Sequence, residues 1–436
     1  MTRTLHLAVA LDGAGWHPAA WRHPAARPAD VFTPGYWVDL VATAERAGID
    51  FVTIEDSFSP HPRFGGAGAG AGAGDGGDRV TGRLDALLVA SYLAPLTTRI
   101  GLVPAVSVTH TEPFHVATAL QTLDFASEGR AGWRVQVSAT PADAALFGRR
   151  VIEPIDLDAY RRGEVQTVIR DLFDEAGDVI EVVRRIWDSW EDDAIIRDVG
   201  SGRFLDGSKV HYPDFEGRFF SVKGASITPR SPQGQPPVTA LAHATIPYEL
   251  AAEHADIVYI TPQSPEHLAE ILAEVRDAER RLRPEGWPAL LVYADLLVLL
   301  EGNAEDAVAA LSALDDLAGA PLASDALVVA GTPTALAERL LDGQRRGLDG
   351  FRLRPARLPV DLDAIAREVV PLLEAAGVRD VIGVGGEVGA DGGAATLREV
   401  LGFERPASRY AGATADIAED VAADPRSVST GSGVRA

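Results

Sequence analysis

The chain has 436 residues, 46% of them hydrophobic, and 40 Lys and Arg against 63 Asp and Glu give it a formal net charge of −23. That length and apolar fraction suffice for a large buried core, while the acidic balance and the lack of any basic stripe argue against nucleic acid and anionic membrane as partners. There is no cysteine, which excludes disulfides, thiolate metal sites and a thiol nucleophile.

Leu5 to Leu11 reads as a first strand, because it is short, apolar and lacks the small-residue cleavage pattern of a signal peptide. No run of about 18 apolar residues suggests a membrane span, so a soluble cytoplasmic protein is expected. A long loop with Asp12, Trp16, His17 and Trp21 follows, then an amphipathic helix, Tyr36 to Ala47, and a second buried strand, Phe51 to Ile54, ending in Glu55, Asp56 and Ser57. The stretch Gly65 to Gly77 only alternates Gly with Ala, so it reads as a flexible surface loop and not as a phosphate cradle, which needs a flanking strand and helix at fixed spacing.

Helix Leu84 to Ala94 leads to the β-branched run Ile100 to Val108, an inner parallel strand by its continuous apolarity. Ser107, Thr109, His110, Thr111 and Glu112 gather at its C-terminal end, where α/β folds collect their chemistry. Pro113 opens the next helix, Gly129 stops it, and Arg130 to Ser138 is a fourth strand.

From residue 142 to about 237 the alternation breaks. A long helix, Tyr160 to Trp190, with Gly177 as a kink point, precedes hairpin-like pieces such as Arg218 to Val222, and the block from Ala142 to Pro229 reads as an insertion that serves as a lid. Strands Val238 to Leu241, Ile257 to Ile260, Leu290 to Leu300 and Gly350 to Leu353 then alternate with helices up to Ala376. Eight strands so spaced predict a single (β/α)8 TIM barrel over residues 1–376, and the Gly, Ala, Asp and Ser-rich remainder, 377–436, reads as an irregular C-terminal arm ending in disorder.

The polar residues after the strands allow several chemistries. His17, Asp56, His61, His110 and His243 are metal-ligand types, but no HxH or HExxH pair occurs, so no metal is assigned. A nucleophile elbow GxSxG is missing. Glu55, Asp56 and Glu112 could supply paired carboxylates, although adjacent residues point differently. Trp16, Trp21, Phe58, Trp133 and Tyr160 could flank a planar cofactor whose phosphate sits at a helix N-terminus.

The run RIGLVPAVSVTHTEPFHVATALQTLDFASEGRAGW, with GAGWHPAAWRHP, FVTIEDS, VVRRIWDSWEDDA, KVHYPDFEGRFFSVKG, ITPRSPQGQPPV and LGFERPASRYA, resembles the flavin-dependent monooxygenases of the bacterial luciferase-like superfamily. Within it the chain is similar to the branch of nitrilotriacetate and dibenzothiophene-sulfone monooxygenases. The resemblance implies a barrel, often dimeric, that takes reduced FMN from a separate flavin reductase. That flavin would react with O2 to a flavin peroxide that oxygenates a small organic substrate.

By the same resemblance Asp56 and Thr109 match positions that contact the flavin ring region, Tyr160 matches a tyrosine near the phosphate and ribityl chain, and His17 occupies a first-loop histidine near the substrate or the peroxide. Three motifs depart from the pattern, at four residues. Arg134 stands for an Asn, Asp156 for a His, and Ala244 with Pro247 for the hydroxyl and Gly of a phosphate-holding segment. Arg134 would compensate as a cationic contact. The departures leave open a re-tuned FMN site, a deazaflavin-dependent dehydrogenase, and a non-catalytic flavin- or ligand-binding barrel.

Overall fold

The computed structural model describes residues 4–58, 79–156, 159, 166–379 and 395–411. Tyr160, His61 and the run Gly65 to Gly77 lie outside the described residues.

Eight parallel strands close into a barrel: β1 (His6–Leu11), β2 (Phe51–Ile54), β3 (Gly101–Ser107), β4 (Trp133–Gln136), β5 (Val238–Leu241), β6 (Ile257–Ile260), β7 (Leu291–Leu300) and β8 (Gly350–Pro355). Each pairs with the next, and β8 pairs back on β1 with His6 opposite Gly350. Helices α1 (Pro34–Arg46), α2 (Ala86–Leu93), α3 (Pro113–Ala126), α4 (Thr167–Asp188), α5 (Thr245–His254), α6 (Pro265–Leu282), α7 (Pro333–Arg345) and α8 (Val360–Ala364, carried on by a π turn into Val370–Ala375) follow in turn. Alternation along the strands divides the side chains. Leu7, Val9, Leu11, Val52, Ile54 and Leu102 face the helix ring, while Ala8, Phe51, Val103, Tyr259 and Tyr293 face inward.

A ninth strand, Leu327–Gly331, was not anticipated from its short apolar run between two helices. It exists because β7 is ten residues long: β6 pairs with its first half, Leu291 to Ala294, and the extra strand takes Leu296 to Leu300 outside the barrel.

The expected 142–237 insertion needs correction. Helix α4 is the barrel's own crossover, packed between α3 and α5, and it runs unbroken through Gly177. That glycine is a contact point and not a kink, since a Cβ there would lie 2.9 Å from His254 Nε2. The extra chain therefore falls into two parts, 137–166 before α4 and 189–237 after it. A strand ends at the barrel mouth and its crossover returns to the opposite end, so of the described residues only 137–156, 159 and 166 start from the mouth side. The second part forms two hairpins, Ile195–Asp198 with Arg203–Leu205 and Phe215–Glu216 with Ser221–Val222. It is anchored at the far end, where Arg230 Nε donates to Asp188 Oδ1 over 2.8 Å, and along the outer flank of α4, where Arg218 meets Asp171. These anchors hold it at the far end and along α4.

The described part of the C-terminal arm is also more than surface. Thr396 caps the short helix Leu397–Val400 in a capping box with Glu399, and Leu397, Leu401 and Phe403 are buried in the inward cluster. Gly101 and Gly132 make room, for a Cβ on Gly101 would lie 2.7 Å from Leu397 Cδ1 and one on Gly132 3.3 Å from Leu397 Cδ2. Leu397 thus plugs the end of the barrel opposite the mouth.

The α4–α5 contact carries a pH prediction. Burial pushes the His254 imidazole down to about 4. The unfolded chain takes up that proton near its ordinary value of about 6.5 and the folded one does not, so stability falls as pH drops from about 6.5 towards 4, by about 3 kcal/mol. Urea unfolding of the protein and of His254→Gln across this window checks it: the variant should lose that share of the slope.

Candidate functional site at the barrel mouth

The mouth has a charged floor. The inward positions of β4, β7 and β8, with Glu55 just beyond β2, carry Glu55, Arg134, Asp295, Arg352 and Arg354, all buried. Asp295 accepts from Arg352 Nε at 2.8 Å and from Arg354 Nε at 2.9 Å. Arg352 Nη1 donates to Glu55 Oε1 at 3.1 Å, and Arg134 Nη1 lies 3.2 Å from Glu55 Oε2. Arg354 Nη1 continues to Asp325 Oδ1 at 2.6 Å, and Asp325 Oδ2 is 3.4 Å from His243 Nε2, whose ring also meets Thr261 through Nδ1 at 2.9 Å. Burial alone would raise Glu55 and Asp295, but the neighbouring guanidinium groups outweigh it and hold both carboxyls below their ordinary values. Trp16 lies beneath the Arg354 guanidinium, 4.6 Å from its carbon to the ring centre.

This lattice corrects the role expected of Arg134. Its side chain points into the barrel, its charge is answered by Glu55, and it offers no unpaired cation to a phosphate. Arg352 and Arg354, two apart in a strand whose Phe351 and Leu353 face outward, were missed. Their Arg-Leu-Arg spacing in an apolar strand is the signal that could have found them.

Above the floor, Asp56 ties the chain after β2 to the start of α2: its carboxylate accepts from Ser57 N–H at 2.7 Å and from Ala86 N–H at 2.9 Å. Burial raises its pKa, against the pull of those two bonds. Thr109 is buried and bridges β3 to β4, its hydroxyl oxygen accepting from Ser138 N–H at 2.9 Å. Among the described residues its hydroxyl proton has no acceptor. Ser138 Oγ in turn donates to Asp143 Oδ2 at 2.6 Å. Asp12 and Arg83 form a two-pronged ion pair beside them, at 2.7 and 3.1 Å.

Other expected site residues are placed differently. His17 is fully enclosed; its Nδ1 accepts from Ala19 N–H and its Nε2 is 3.1 Å from Asp315 Oδ1, on the outer helix Ala304–Ala318. Both ring nitrogens hold the first loop in place, which accounts for its hydrogen-bonding capacity. Trp133 faces outward and packs edge-on against Trp187. Ala244 is the N-cap of α5 and contributes no side-chain hydrogen bond. In that first turn the Thr245 hydroxyl donates to Glu274, and Pro247 has no N–H, which leaves the backbone N–H groups of Thr245 and Ile246 as donors for an anion. Among the described residues no three His, Asp or Glu side chains group as metal ligands, and no helix is long and apolar enough to cross a membrane.

Comparison with known proteins agrees with this architecture. A family model described as luciferase-like monooxygenase matches residues 15–346. The chain is 27% identical to N-acetyl-S-(2-succino)cysteine monooxygenase of Bacillus subtilis (strain 168), over 94% of this chain and 99% of that protein. It is 32% identical to nitrilotriacetate monooxygenase component A of Aminobacter aminovorans over 65% of this chain and 59% of that one. Among solved structures it is similar to a riboflavin lyase determined with modified FMN and riboflavin, with a TM-score of 0.77 and 25% identity over 94% of this chain and 98% of that one.

Proposed function

The chain belongs to the luciferase-like monooxygenase family, and from that premise we propose that it is the oxygenating component of a two-component system, expected as a homodimer, that takes reduced FMN from a separate reductase and uses O2 on a small organic substrate. The observation that carries the reading is the family match, which runs through six of the eight barrel strands, β2 to β7, and so through most of the strand ends that build this mouth.

The mouth fits the ring end of a flavin better than the phosphate end. Thr109 has a hydroxyl proton to donate, and Asp56 holds the adjoining loop by two backbone bonds. The floor, in which Glu55, Asp295 and Asp325 balance Arg134, Arg352 and Arg354, supplies fixed dipoles without a free charge. At the phosphate end the first turn of α5 can offer backbone N–H groups only. When bound, reduced FMN supplies the two electrons that divide O2 between the substrate and water. The chain's share is to orient the ring, admit O2 and keep bulk water away.

Titration of the protein with FMN and with riboflavin, oxidised and dithionite-reduced, tests this. Reduced FMN should bind, and riboflavin should bind within about tenfold of it, because the missing side-chain hydrogen bonds to phosphate contribute on the order of 1 kcal/mol each. Thr109→Ala and Asp56→Ala should each weaken FMN about five- to tenfold. Binding in neither redox state defeats the reading, and so does turnover with a reduced deazaflavin in the absence of O2.

A further inference from the structure

Three rings from separate elements meet on the mouth side of β2, β3 and β4. Phe58 follows β2, His110 follows β3, and Phe147 ends the helix Pro141–Phe147. His110 stacks on Phe147 with centres 4.8 Å apart and planes 13° apart, and Phe58 meets Phe147 edge-on at 4.7 Å. A trio of rings is ordinarily core packing, but this one holds a polar atom that a core does not tolerate. His110 is only 9% exposed, and its Nε2 is buried with no hydrogen-bond partner among the described residues. Asp143, in the same corner, leaves Oδ1 equally unpartnered while its Oδ2 serves Ser138. Leaving such a group unmet costs about 1–3 kcal/mol, an expense the fold recovers only when something reaches it.

The surroundings specify what could do so. Burial, and then Arg150, push the His110 imidazole below its ordinary pKa, so it is a neutral ring with one donor and one acceptor. Among the described residues the nearby cations are already matched: Arg150 pairs with Glu175, Arg149 with Glu112 and Arg83 with Asp12. Phe147 is 37% exposed and precedes Gly148, whose φ of +65° ends the helix, so it is the ring that yields to an incoming molecule. Leu146 and Val151 extend the exposed apolar rim.

We propose that Phe58, His110 and Phe147 form the substrate-recognition wall of the mouth, and that it selects an uncharged, flat ring compound that stacks on the two phenyl rings and exchanges one hydrogen bond with His110 Nε2. Among the described residues a polycarboxylate finds no unmatched cation there and would have to be desolvated without compensation. The inference rests on the monooxygenase reading for what happens to the bound compound, though not for its binding.

Equilibrium dialysis of the full-length protein, with and without reduced FMN under anaerobic conditions, tests it with two probes: dibenzothiophene sulfone, flat and uncharged, and nitrilotriacetate, flexible and anionic. The sulfone should bind and nitrilotriacetate should not. His110→Ala and Phe147→Ala should each weaken the sulfone about tenfold, with His110→Gln recovering part of the loss and the FMN affinity of all variants within about twofold of the parent. Preference for nitrilotriacetate, binding of neither probe, or equal sulfone binding by every variant overturns the wall. Failure of FMN to bind while the sulfone still binds overturns the monooxygenase reading and leaves the wall standing.

Discussion

Asp295→Ala is expected to lower the unfolding free energy by about 3–5 kcal/mol, because it removes the carboxylate that the buried Arg352 and Arg354 share. Arg352 and Asp295 have no exposed side-chain surface, and Arg354 almost none. Without Asp295, Arg352 keeps only Glu55, and Glu55 already answers Arg134. Arg354 is then left leaning on Asp325, nearer the solvent. The cost is the desolvated charge left behind and not the value of the pair itself, so Asp295→Ala combined with Arg352→Met should recover part of the loss. The exposed Asp342, which pairs with Arg345 and Arg346, is the control, and Asp342→Ala should leave the unfolding midpoint unchanged. Urea unfolding at neutral pH measures all of these. A loss below about 1 kcal/mol for Asp295→Ala would mean that water or a neighbour replaces the carboxylate.

The barrel was readable because a parallel strand covered on both faces writes a continuous apolar run, and all eight runs lie where the structure has strands. Side-chain pairing at long separation leaves no such local trace. Arg352 meets Glu55 across 297 positions and His17 meets Asp315 across 298. Arg134 therefore looked like a free cation and His17 like a catalytic histidine, until the barrel's closure supplied their partners. Thr109 lies at a strand end, so its place at the mouth was legible whatever its partners are. The helix Thr167–Asp188 was recognised by its period, but only its packing between α3 and α5 identifies it as a crossover, and that assignment moves residues 189–237 away from the mouth. His110 was legible as a strand-end polar residue and a metal-ligand type but not as part of a ring cluster, because the ring that stacks on it lies 37 residues downstream in a short helix.

Leu397→Ala is the second large effect, about 2–5 kcal/mol, and it tests the part of the chain whose composition said least. Residues 395–411 sit in a stretch flanked by Gly, Ala and Asp, which argues for a surface arm, yet Leu397 is 2% exposed and is met by backbone at Gly101 and Gly132, where no side chain stands in its way. Two glycines on adjacent strands cannot collapse to fill the space, so truncation leaves a cavity lined by Phe51 and Val103 and the loss should fall in the upper part of that range. Leu372→Ala, at a position 38% exposed, should cost no more than about 1 kcal/mol. Because Leu397 closes the end of the barrel opposite the mouth, its loss should leave the FMN affinity of the folded protein within about twofold of the parent. Denaturant unfolding and flavin titration on the same preparations separate the two effects, and a parallel fall in both would show that the plug and the mouth act as one unit through the ion lattice between them.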